Sequence, residues 1–202
     1  MAGVHALNAR RGYHPGVRRI AALLALGVLA ACNQGGGTAG PSPTPAPVVP
    51  RDLPGATCEE QRGGDDHVQP DFIAVEVESE GGIDRVSFHF RQTDPGADQP
   101  PAYIVRYVKE LITDGEGAPV DVEGRIFVAV SFQAVGVDLT GEEFVEVYTG
   151  PKEFTPGFPV VREVEQTGDF EGVVSWGIGL SRAACVKVSS DQHSLTLEFP
   201  SA

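Results

Sequence analysis

The residues able to do chemistry in this chain are few and scattered. Beyond residue 32 the imidazoles are His67, His89 and His193, far apart in sequence. No His-Glu-x-x-His or Cys-x-x-Cys is present, the spacings that bring metal ligands to one point. There is no Gly-x-Ser-x-Gly elbow, no Ser-x-x-Lys and no phosphate-cradling glycine loop. Carboxylates are abundant, but abundance is not a pair with split proton affinities. His89 falls on the polar side of an alternating run with Val86, Phe88 and Phe90, a solvent-facing position. His67 follows Asp65-Asp66, where a solvated loop is favoured over an adventitious cation site, and His193 sits at a turn. The pattern therefore predicts no catalytic residues, no metal and no cofactor, hence not an enzyme.

A binding role needs less. Aromatic rings stack on sugar faces and carboxylates accept hydrogen bonds from hydroxyls and amides. Trp176, Tyr103, Tyr107, Asp169 and Glu171 supply those groups and are the candidate ligand-binding set. Against this, a lone Trp in a β-rich chain is usually a core residue. Asp169 equally suits a turn, its side chain capping backbone N–H groups.

The three cysteines have different surroundings. Cys32 closes the run Leu29-Ala30-Ala31-Cys32 behind Arg10, Arg11, Arg18 and Arg19 and an apolar stretch from Ile20. A basic segment, an apolar segment and small residues, in that order, form a secretory signal. The apolar run is too short to span a bilayer as a helix. Its ending resembles the lipobox of bacterial lipoproteins, which implies diacylglycerol on the Cys32 thiol and membrane attachment after cleavage. The twin arginines lack the flanks of a twin-arginine signal, so general export is expected. Cys58 and Cys185 then remain as an even pair in an oxidising compartment, either bonded or as two buried thiols. A bridge would close a loop of about 128 residues, worth roughly 4–5 kcal/mol in chain-entropy models.

Loss of residues 1–31 removes four arginines and no acid, carrying the formal charge from −13 to −17. So acidic a chain is unsuited to neutralising nucleic-acid phosphates. It has no polybasic segment to lie on anionic lipid either. Solubility, or contact with cations, is what such a surface supports.

Three stretches follow: 1–31 as signal peptide, 32–67 as lipidated terminus and linker, and 68–202 as one folded domain. The linker is glycine-rich, then reads Pro-Ser-Pro-Thr-Pro-Ala-Pro, with too few large apolar residues to fold. Past Val68, Ile73, Val75 and Val77 alternate with polar residues, as do Val86, Phe88 and Phe90, around Gly81-Gly82. That is a hairpin. Further β runs are Ala102–Lys109, Arg125–Gln133, Val160–Val164, Gly172–Ile178, Ala184–Val188 and Ser194–Phe199. No long amphipathic helix appears, and Val135–Val147, broken by Gly136 and Gly141, reads as an irregular excursion. The expected fold class is all-β, a single β-sandwich.

Three of these stretches together resemble the AMIN-like domain of actinobacterial lipoproteins. They are Asp84-Arg85-Val86-Ser87-Phe88-His89-Phe90, Tyr103 to Val108, and Asp169-Phe170-Glu171-Gly172 ahead of Trp176. The resemblance covers about Phe72 to Phe199. It departs at Glu198 in the last strand and at Ala183-Ala184-Cys185. It implies a β-sandwich and, by analogy with AMIN domains of N-acetylmuramoyl-alanine amidases, binding to peptidoglycan or another wall component at the cell envelope. The alternative is an envelope assembly lipoprotein that docks another protein through a β edge or the Val135–Val147 excursion.

Overall fold

Where apolar and polar residues alternate the chain is extended, and two sheets close over the side chains that alternation turns inward. The computed structural model describes residues 53–138 and 144–202. The expected signal peptide, Cys32, the Gly/Pro stretch to residue 52 and the middle of the 135–147 excursion lie outside the described residues. In chain order the strands are β1 (Gln61–Gly63), β2 (Asp71–Glu80), β3 (Ile83–Arg91), β4 (Tyr103–Val108), β5 (Leu111–Ile112), β6 (Pro119–Val120) and β7 (Ile126–Gln133). They continue as β8 (Val137–Asp138), β9 (Val145–Glu146), β10 (Glu153–Phe154), β11 (Val161–Phe170), β12 (Val173–Leu180), β13 (Lys187–Asp191) and β14 (Ser194–Pro200). One sheet runs β1-β4-β7-β12-β11-β10 and the other β13-β14-β3-β2, with β5-β6 and β8-β9 as separate short pairs. The neighbours pair antiparallel throughout. The fold is all-β, as the alternation predicts.

The core lies between the sheets. Val128, Val130 and Phe132 of β7, with Val174, Trp176, Ile178 and Leu180 of β12, face Val86, Phe88 and Phe90 of β3 and Leu195, Leu197 and Phe199 of β14. Aromatic rings bind the layers: Phe88 stands 5.2 Å from Phe132 and 5.8 Å from Trp176, centroid to centroid. Offset and tilted pairs of this kind contribute beyond the area they bury.

The second interlayer tie is polar. Asp84 begins the alternating run Asp84, Val86, Phe88, Phe90, and so it points inward and is fully buried. Its Oδ2 accepts the backbone N–H groups of Val160 (2.7 Å) and Val161 (2.9 Å), and its Oδ1 accepts the Ser79 hydroxyl at 2.7 Å. A buried carboxyl without donors would be costly. Here it satisfies the two amides where the chain enters β11, and so fixes one sheet against the other.

The folded part reaches further back than residue 68. Gln61–Gly63 pairs with Val105–Tyr103, and Thr57 bridges to Val186. Cys58 and Cys185 are joined as a disulfide, with Cα atoms 4.6 Å apart. The linker composition of 32–67 hides this because β1 is three residues long and held by pairing, not by apolar alternation. The bridge stitches the start of the fold to the strand pair β13-β14.

Candidate functional site

On the outer face of the six-stranded sheet the cross-strand register sets small residues side by side. One row runs Arg62, Ile104, Ser131, Ser175, Gly168 across β1, β4, β7, β12 and β11. The next rows are Gln133, Val173, Phe170 on one side and Arg106, Ala129, Gly177, Glu165 on the other. Small floor residues between larger flanks make a trough. Along it lies a cavity of about 380 Å³ lined by Arg106, Asp114, Ser131, Phe170, Glu171, Val173 and Ser175. A second, of about 300 Å³, adjoins it through Ser131 and Val173 and is bordered by Arg62, Tyr103, Ile104 and Gln133. A third, of about 150 Å³, continues it beneath β5 and again includes Ser131.

The segment from β5 to β7 forms one wall. It can lie on the sheet because β12 carries Gly177 and Gly179 at outward positions. A Cβ at Gly177 would collide with the Leu111 side chain, and one at Gly179 with the Glu123 backbone and Val122. Leu111 and Val122 are buried there. The same approach sets the Asp114 side chain over Gly168, where any side chain would strike it.

The hairpin between β11 and β12 forms the other wall. Phe170 pairs with Val173, leaving Glu171 and Gly172 as a two-residue turn with φ of 52° and 76°. Positive φ at both positions is the type I′ geometry that suits β-twist. Asn, Asp or Gly is usual at its first position. Glu171 is the one non-glycine residue with positive φ among the described residues. Beside it Phe170 is 60% exposed, unusual for a large aromatic side chain.

The five residues singled out by sequence do not converge. Trp176 is fully buried and packs edge-to-face on Phe72 (6.1 Å, 70°) and Tyr148 (5.9 Å, 83°), with no ring face free for a sugar. Tyr107 donates its hydroxyl to the Ala184 carbonyl at 2.6 Å, and burial pushes its pKa up to about 12. Tyr103 borders the adjoining cavity but packs mainly on the core. Asp169 pairs with Val174, which places it on the inner side of the hairpin against Gly136, away from Phe170. Burial raises its carboxyl above the usual range, and Lys152 only partly opposes this. Glu171 alone of the five stands in the main cavity. Sequence reasoning passed over Phe170, Asp114, Arg106 and Ser131. Phe170 carries no sequence signal, because unbroken alternation would turn it inward and the β bulge between Gln166 and Gly168 that turns it outward shows only in the register. Asp114 comes from a distant loop and had none.

Charge around the trough is mixed. Arg106, Asp114 and Glu171 line the same cavity, yet among the described residues none of them is in an ion pair or a side-chain hydrogen bond. Ion pairs occur at other places on the surface: Arg85 and Lys187 both hold Glu198 (2.9 and 2.8 Å), Arg91 holds Asp71 (2.6 Å), and Arg162 holds Glu123 (2.8 Å). His89 lies 3.2 Å from Glu76 on the outer face of the other sheet. Asp65, Asp66 and His67 bring ligand atoms within 4.8 Å of one another. They are consecutive residues in a loop whose Asp65 Oδ1 accepts the His67 N–H, so local turn chemistry accounts for them.

A family model described as an AMIN-like domain matches residues 71–197. No curated protein and no solved structure matches the chain.

Proposed function

The chain belongs to the AMIN-like domain family, and on that premise we propose that it is a non-catalytic wall-binding module of the cell envelope. AMIN-like domains occur in extracytoplasmic envelope proteins and suggest a wall-related binding role. In this reading residues 1–31 are a signal peptide removed on export. Cys32 carries the lipid that holds the protein on the outer face of the cytoplasmic membrane, and residues 33–52 tether the domain. The contact surface is the trough on the six-stranded sheet, not the buried Trp176. The observation that carries this choice is the exposed Phe170 beside unpaired polar groups over a floor of small residues. Such a surface offers an apolar platform with a few convergent hydrogen-bonding groups, the usual make-up of a small-ligand site.

Two measurements test it. Cys32→Ser should move the protein from the membrane fraction to the soluble fraction; unchanged fractionation would remove the anchor from the account. The domain should also sediment with purified peptidoglycan at low salt; protein left in the supernatant would contradict wall binding. The assembly reading keeps one observation in its favour: Phe144 is 80% exposed beside exposed Val145. Wall binding that survives Phe144→Ser assigns that tip no part in it.

A further inference from the structure

We propose that the Phe170–Arg106 cavity takes a zwitterionic amino-acid centre, an ammonium and a carboxylate on one carbon, at the end of a peptide side chain. Within the wall this is the free end of a diaminopimelate residue in a stem peptide. The inference rests on the wall-binding reading and names the group that its trough would hold.

Charge complementarity carries the argument. Arg106 faces a cavity that it shares with Asp114 and Glu171, yet no guanidinium nitrogen comes within 4 Å of either carboxylate. Arg162 and Glu123, which line another cavity, do close into a pair. Left unpaired, Arg106 and the two carboxylates match a ligand that carries both signs. Asp114 lies over Gly168, and Glu171 stands in the hairpin turn. An ammonium between these carboxylates would also lie beside the exposed Phe170 ring, where the ring quadrupole attracts cations. Arg106 would take the carboxylate, the anion its planar fork suits best. Ser131 and Ser175 remain on the floor for backbone amides. The adjoining cavity past Ser131, about 300 Å³, leaves room for the rest of the stem.

The test is calorimetric titration of the full chain, in mild detergent, with two synthetic stem tripeptides. One ends in meso-diaminopimelate and the other in lysine, which has the ammonium but no second carboxylate. The diaminopimelate peptide should bind at least about tenfold more tightly, or about 1.4 kcal/mol. Arg106→Gln should erase that difference, while Glu171→Gln should weaken both peptides and leave their ratio. Equal binding of the two peptides to the native chain would overturn the proposal, as would a preference that survives Arg106→Gln. Sedimentation with peptidoglycan in parallel separates the two claims. Wall binding with no peptide binding defeats the zwitterion site alone; loss of both defeats the wall reading as well.

Discussion

Asp84 is the residue whose role the alternation encodes most directly. It keeps phase with Val86, Phe88 and Phe90, so an acid on the apolar face must be buried and must find donors. It finds Val160, Val161 and Ser79. Asp84→Ala would strand two buried amides and open a small void. Urea unfolding should show a loss of about 3–5 kcal/mol, with Asp84→Asn losing less. Glu198 is a different case. The Lys187 ammonium, and next the Arg85 guanidinium, hold its carboxyl below the usual range. A depressed carboxyl stabilises the fold above its unfolded value, and the gain is lost as pH falls through the folded value. Glu165 has the opposite sign. Burial, with Glu163, Glu153 and Asp121 nearby, raises its carboxyl, so it penalises the fold once ionised and relaxes on acidification. Thermal unfolding followed from about pH 7 to about pH 3 should therefore fall less steeply at the acid end in Glu198→Gln than in the native chain. A parallel fall would assign the acid sensitivity to other groups.

Among the elements, β12 decides most. Its inward residues Val174, Trp176, Ile178 and Leu180 are ordinary core, legible as a period-two run. Its outward residues Gly177 and Gly179 are small because another segment lies on them, and Ser175 lines the cavity. Gly179→Ala should push against the Glu123 backbone and cost about 1–3 kcal/mol. It should also disturb the wall of the trough, which chemical-shift changes at Asp114 would report. The strands β3, β4, β7 and β14 are legible because each has one wet and one dry face; in β2 the alternation holds at Val75 and Val77, but a bulge between Phe72 and Ala74 puts Phe72 in the core and leaves Ile73 exposed. β11 was legible only at Val160–Val164. Its second half, Glu165 to Phe170, is polar and extends because β12 pairs with it through Val173. β1 lies in a stretch of linker composition for the same reason, since pairing with β4 makes it a strand. The trough was not legible, because its floor comes from register between β7, β12 and β11 and one wall from the segment between β4 and β7. Only Glu171 and the hairpin that carries it could be picked out in advance.

At the scale of the molecule, the disulfide and the trough both involve the start of the fold: Cys58 precedes β1, and Arg62 and Gly63 of β1 border one of the trough's cavities. Cys58–Cys185 fastens the chain where it enters the fold, beside the bridge from Thr57 to Val186. In the proposed reading any pull from a lipid at Cys32 arrives there and is borne by a covalent link. The trough lies on the outer face of the six-stranded sheet, from β1 across to β11, with the β5–β7 segment as one wall. The central claim is that this trough, not the buried Trp176, meets the cell wall. Ser131 lies in all three of its cavities, so Ser131→Trp fills the floor from a partly exposed position that leaves the core untouched. The most direct test is sedimentation of native and Ser131→Trp protein with purified peptidoglycan, after matched thermal unfolding. The account predicts that the native protein pellets and that the variant, equally folded, stays in the supernatant. Equal pelleting of both would contradict it and move the contact to another surface.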